Sequence, residues 1–157
     1  MQYNPFTKFD QDWAIVTAGD EEDHNSMTIS WGSMGTVWGK DVITIYIRPD
    51  RYTFNYLREN EFFTVSFYDQ KYHESLNIMG NLSGRDHDKD IEADLTPISL
   101  DHGISYLEAK ETFVCKKIYL SQMQYEDVPD VAKKIYKNGI EPHYIIMGEV
   151  IRHVEEA

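Results

Sequence analysis

Apolar positions along this chain come mostly in short runs of β-branched and aromatic residues, separated by polar turns. The runs are Trp13–Ala18, Met27–Trp31, Val42–Ile47, Phe62–Tyr68, Ile104–Glu108, Thr112–Gln122 and Tyr144–His153. Such residues fit a pleated, half-buried surface, so each run predicts a strand. Val42–Ile47 is apolar at nearly every position, which predicts a strand covered on both faces. The others alternate more.

Helical spacing is rarer. Pro49-Asp50 predicts a helix start that runs to about Asn60, with Asp50 or Thr53 as cap. Phe54, Leu57 and the stem of Arg58 would face inward. Tyr72–Met79 is a second candidate, with Leu76 and Met79 on one face. Asp88–Leu95 is a third, and Val128–Lys137 a fourth, bounded by Pro129 and Asn138-Gly139. Strands, then a helix or two, then more strands predict a mainly β fold: an antiparallel β-barrel with peripheral helices rather than a βαβ unit. A barrel would also remove the exposed edges that many short strands create.

Composition narrows the picture. The 157 residues suit a single domain over 1–157 with one core. Fifteen basic against 27 acidic residues give a net charge of −12. That balance argues against a nucleic-acid partner, since no segregated basic face is visible. No run of ~18 apolar residues marks a membrane span. Met1–Asp10 lacks the apolar centre of a signal peptide. Cys115 is the single cysteine, so no intrachain disulfide can form, and a cytoplasmic location is expected. Its place in a strand-like run predicts a small buried core residue.

Candidate chemistry sits in separate segments. Asn25–Gly32 follows the acidic loop Gly19–His24. Its small hydroxyl residues let a backbone approach a flat ligand, and Trp31 can cover an aromatic face. The same pattern fits an ordinary strand with a polar side. Ile47–Thr53 places Arg48, Arg51 and Thr53 at a strand-to-helix junction, where free N–H groups and planar guanidinium donors suit a phosphate. Surface arginines balancing an acidic protein would look the same. Gly80–Lys89 is rich in glycine and small polar residues; it could close over a phosphate or a ring, or be a flexible loop. His143 opens an apolar strand, a position more often structural than catalytic. No second histidine or cysteine stands at zinc-ligand spacing, so no metal site is expected. Asp20–Asp23 lacks the ligand pattern of a calcium loop. There is no Gly-x-Ser-x-Gly elbow, P-loop or dinucleotide fingerprint.

Taken together, these segments resemble the flavin reductase-like, FMN-binding split-barrel family, and within it the flavoredoxin-type branch. The matching strings are Trp13–Gly19, Asn25–Gly32, Trp38-Gly39-Lys40, Ile47–Thr53, Ser83–Asp86 with Asp88-Lys89, and His143 followed by Gly148-Glu149-Val150. The resemblance implies a split antiparallel β-barrel, usually a homodimer with FMN near the subunit interface. It implies that Asn25, Thr28, Ser30 and Trp31 line the isoalloxazine ring, with Met27 contributing backbone. Arg48, Arg51 and Thr53 would lie at the phosphate and ribityl chain, and Ser83 and Lys89 would approach from the later loop. His143 would sit beside the flavin as the catalytic candidate, steering the ring or a nicotinamide. Lys89 or His143 could supply a cation near the reduced ring. Gln122–Glu141 matches no pattern of the family.

The implied activity is an FMN-dependent oxidoreductase that takes electrons from NADH or NADPH. Flavin carries that chemistry, which accounts for the missing nucleophilic triad. Two alternatives share the same residues: an FMN electron carrier reduced by a redox partner protein, and a flavin-binding module without nicotinamide activity. A barrel that has lost flavin is disfavoured by the intact ring and phosphate segments.

Overall fold

The β-branched and aromatic runs become strands in the computed structural model of the chain, which describes residues 3–156. Met1, Gln2 and Ala157, the ends of the expected 1–157 domain, lie outside the described residues. The strands are β1 (Ala14–Gly19), β2 (His24–Ile29), β3 (Gly32–Val37), β4 (Lys40–Ile47), β5 (Phe62–Phe67), β6 (Pro97–Leu100), β7 (Gly103–Tyr106), β8 (Glu111–Gln122) and β9 (Tyr144–Glu155). The helices are α1 (Pro5–Thr7), α2 (Tyr52–Glu59), α3 (His73–Asn81), α4 (Lys89–Glu92) and α5 (Asp130–Lys133). One antiparallel seven-stranded sheet runs in the order β2-β1-β5-β8-β9-β4-β3, and β6 pairs with β7 in a separate hairpin.

The side-chain alternation explains how this sheet closes. Ala14, Val16 and Ala18 of β1 share one core cluster with Ile43, Ile45 and Ile47 of β4. In the sheet, β5, β8 and β9 stand between those two strands. The sheet therefore curls until its two halves face each other, as a split barrel requires. Register shifts at Val114/Cys115 and Lys117/Tyr119 mark bulges in β8 that help it bend. Phe54 and Leu57 of α2 fill the same core. The opposite face of β1 carries Ile15, which packs with Leu76 and Met79 of α3, Leu95 and Tyr106 in a second cluster.

Several elements differ from the sequence expectation. Closure comes from packing rather than pairing, and β2 and β3 remain the two sheet edges. The glycine-containing β3 and the exposed β6 carry too few apolar residues to signal strands. β2 starts at His24 and ends at Ile29, so Ser30 and Trp31 lie past its end. Helix α2 starts at Tyr52 with Arg51 as N-cap and no side-chain cap. The Asp50 carboxylate instead accepts from Arg48 Nε at 3.1 Å. Arg58 is exposed rather than inward. Around Val128–Lys137 only α5 and a following 3-10 turn are helical. Cys115 is fully buried, as expected, and burial pushes its thiol pKa up.

Candidate functional site

Edge strand β2 organises the site. Its Asn25 side chain is buried and donates from Nδ2 to Thr53 Oγ1 at 2.7 Å, which ties β2 to the first turn of α2. Lys89 Nζ donates to the Ser26 carbonyl at 2.5 Å. Ser26 pairs across from Thr17, yet its carbonyl reaches Lys89. The N–H and C=O of one strand residue leave on the same side, so Ser26 and, two residues on, Thr28 offer backbone groups away from β1.

Next to this edge, β4 ends and α2 begins. Arg48 follows β4, and Arg51 donates from Nη2 to the Gly80 carbonyl at 3.1 Å. Ser83 shapes the later loop: its carbonyl accepts from the N–H groups of Asp86 and His87, and its hydroxyl from Arg85 N. Arg85 lies over the Tyr52 ring, 5.0 Å from its centre. Asn25, Arg48, Arg51, Thr53, Ser83, Arg85 and Lys89 thus line one cavity of about 330 Å³. With no side-chain cap, the Tyr52 and Thr53 N–H groups at the start of α2 are free for a ligand or water, while the Phe54 N–H donates to the Arg51 carbonyl.

Charge in this cavity is mostly positive: Asp50 also lines it, but Arg48 holds its carboxylate. Burial, then Arg48, lowers the pKa of Arg51. Burial, then Arg51, lowers that of Lys89 to about 8, with Asp90 pulling the other way. A dianion placed among these cations would relieve both, so the donor set fits a phosphate monoester.

A smaller cavity of about 180 Å³ shares Gly80 and Asn81 with the first and continues past Thr28, Ile29 and Ser30 to Trp13. Thr28 Oγ1 donates to the Leu76 carbonyl at 2.5 Å. Further on, Trp31 lies against His143, with ring centres 4.6 Å apart. His143 Nδ1 is 2.7 Å from the Tyr136 hydroxyl. Burial, then Arg48, pushes the His143 pKa down to about 4. The ring is therefore neutral near pH 7 and can stack or hydrogen-bond, but of the two candidate cations only Lys89 carries a charge.

The structure thus gathers Asn25, Arg48, Arg51, Thr53, Ser83 and Lys89 around one cavity. Thr28 and Ser30 line the adjoining one. Trp31 and His143 contact each other and line neither. Met27 points its side chain into the core while its backbone pairs with Val16. Arg85, absent from the expected site residues, joins the cavity; its place in the Ser83–Lys89 segment was the available signal. Tyr136, from the segment that matches no family pattern, holds His143. Away from the site, Glu111, His153 and Glu155 bring ligand atoms within 4.8 Å of one another, where linear spacing could not show it. Lys8 already pairs with Glu111 there.

With this geometry, the chain belongs to the flavin reductase like domain family, which matches residues 6–156. Its fold is similar to flavoredoxin from Methanosarcina acetivorans, at 16% identity over 92% of this chain and 68% of that one, TM-score 0.73. It is also similar to an FMN-binding protein from Thermus thermophilus with bound 1-cyclohex-2-enone, at 18% identity over 99% and 79%, TM-score 0.72. A third similar structure is an NADH:FAD oxidoreductase from Streptomyces globisporus in complex with NAD and FAD fragments, at 15% identity over 92% and 74%, TM-score 0.69. These likenesses establish the mainly β split-barrel fold. Comparison with curated protein sequences found no match.

Proposed function

We propose that the chain binds FMN and works as an oxidoreductase of the flavin reductase type, passing electrons from NADH or NADPH to an acceptor. One observation carries the reading: an acidic protein gathers Arg48, Arg51, Arg85 and Lys89 around a single cavity that adjoins the β2 edge. The FMN phosphate fits among those cations. The ribityl chain fits beside Asn25 and Thr53, and the ring fits along Thr28–Ser30 toward Trp31. FMN, when bound, supplies the redox chemistry, and the protein supplies binding, orientation and electrostatics. Neutral His143 would orient a ring or a nicotinamide rather than move a charge. The names of the Thermus and Streptomyces proteins, which give FMN, NADH and FAD, support this reading.

A homodimer is the proposed active form. Trp38, at the β3–β4 turn, is 67% exposed and Trp31 43%. Trp38 also holds a positive φ of 54°, a strained placement for a bulky residue. Both flank the unpaired edge of β3, which a second copy would cover. The exposed Trp31 equally gives a redox partner protein an aromatic contact, so an electron carrier is the competing reading.

Calorimetric titration with FMN tests the core claim, and absence of affinity overturns it. Rapid mixing of the FMN-loaded protein with NADH and with NADPH tests the donor. Bleaching of the flavin by either supports the reductase. Bleaching by neither favours the carrier.

A further inference from the structure

Behind the Lys89 ammonium runs a chain of buried polar groups that flavin binding alone does not require. Lys89, only 5% exposed, and Asp90 open the single turn of α4, which Asp88 caps at Ile91 N. Lys89 Nζ holds the Ser26 carbonyl at 2.5 Å. Asp90 Oδ1 accepts from the Tyr106 hydroxyl at 2.5 Å, and Asp90 Oδ2 lies 2.7 Å from His24 Nε2. The Tyr106 oxygen lies 2.6 Å from Ser26 Oγ, which in turn lies 2.7 Å from Thr17 Oγ1.

Ser26 is therefore gripped twice, at its carbonyl by Lys89 and at its hydroxyl by the Tyr106 that Asp90 holds. On the other side of Asp90, His24 Nδ1 is 3.0 Å from the Asp20 carbonyl. Both ring nitrogens of His24 thus face acceptors, an arrangement only the imidazolium satisfies. The hydrogen bond to Asp90 raises the His24 pKa accordingly. Burial alone would raise the Asp90 pKa, but the bonds from His24 and Tyr106 hold it below the usual range. The result is a fixed carboxylate one residue from Lys89.

Resting on the FMN reading, we propose that His24, Asp90 and Tyr106 are positioning residues that keep the Lys89 ammonium charged and in place at the wall of the flavin cavity. Without them Lys89 faces Arg48, Arg51 and Arg85 across that cavity, with Asp50 engaged by Arg48. Asp86 and Asp88, on the loop leading to α4, and Glu22, Asp23 and His87, which line an adjoining cavity with Lys89, are exposed and screened. Asp90 is the charge that offsets the repulsion. Its removal lets Lys89 give up its proton at a lower pH.

The test measures FMN affinity from pH 7 to 9.5 in the intact protein and in Asp90→Asn, Lys89→Met and the double variant. The FMN phosphate stays a dianion over that range, its second ionisation lying near ~6. In the wild type, affinity falls as pH rises through about 8. Asp90→Asn moves that midpoint to lower pH and weakens binding at pH 8 by roughly tenfold. Lys89→Met removes the pH dependence, and Asp90→Asn adds nothing in that background.

Equal weakening by Asp90→Asn in both backgrounds, with an unmoved midpoint, overturns the proposal. Tyr106→Phe, which removes a single hydroxyl, serves the same comparison if Asp90→Asn does not fold. An NMR titration of the Lys89 side chain without FMN keeps the two readings apart. A lowered Lys89 midpoint in Asp90→Asn supports the positioning role whatever the ligand. An unchanged midpoint there overturns it even if FMN binds.

Discussion

His143 sits 2.7 Å from the Tyr136 hydroxyl, with its ring against Trp31. Both contacts are made by a neutral imidazole, and its pKa of about 4 follows from burial and from Arg48. An unfolded histidine titrates near ~6.5. Between these values the unfolded chain binds a proton that the folded chain refuses, so stability falls as pH drops from 6.5 toward 4. His143 is only half-buried, so the effect is screened to about 1 kcal/mol. Urea unfolding at pH 7 and pH 4.5 measures it. The wild type loses about 1 kcal/mol more than His143→Gln over that interval. Equal losses would show that the imidazole titrates normally. Its neighbour in function, Lys89, is buried as well but keeps a carboxylate beside it, and so stays charged at neutral pH.

Between α3 and α4, the loop at Ser83–Asp88 meets β2 at one point. A Cβ on Gly84 would lie 2.0 Å from Asn25 Oδ1 and 3.0 Å from Tyr52 Cδ2. Asn25 has little freedom to yield, because its Nδ2 is committed to Thr53. Gly84→Ala must therefore push the loop outward or break that bond, at about 1–3 kcal/mol. A lowered melting temperature together with weaker FMN binding checks this; full affinity would mean that the loop does not wall the cavity. The same contact shows what sequence could reveal. Asn25–Gly32 and Ile47–Thr53 were each ambiguous polar segments, and the Asn25–Thr53 bond makes them neighbours. Their residue types advertised a ring and a phosphate, which is why most of that cavity was legible. The His24–Asp90 pair was not, since 66 residues separate partners whose types suggest only solvated surface. The aromatic character of Trp31 predicts a strand, but the chain turns there toward β3.

At the scale of the molecule, the strands and the β class were legible from residue pattern, but the curl was not. Which strands face each other across the core depends on contacts far apart in sequence, such as β1 with β4. Gly148 shows how tight that curl is. It pairs with Ile43 on one side and Lys117 on the other, well inside β9. A Cβ there would lie 2.5 Å from Phe63 Cζ and 2.6 Å from Cys115 Cβ. Phe63 belongs to β5, with β8 lying between it and β9. Its ring can reach over β9 only because the sheet bends there and Gly148 has no side chain. Gly148→Ala overpacks this point and should cost about 1–3 kcal/mol. Phe63→Leu shortens the ring's reach and gives part of that loss back, while the Cys115 contact keeps the rest. Urea midpoints of the two single variants and the double variant decide the matter. If the curl brings β5 over β9, the Gly148→Ala penalty shrinks by about 1 kcal/mol in the Phe63→Leu background. Penalties that add to within about 0.5 kcal/mol would mean the two strands do not meet across the core in solution.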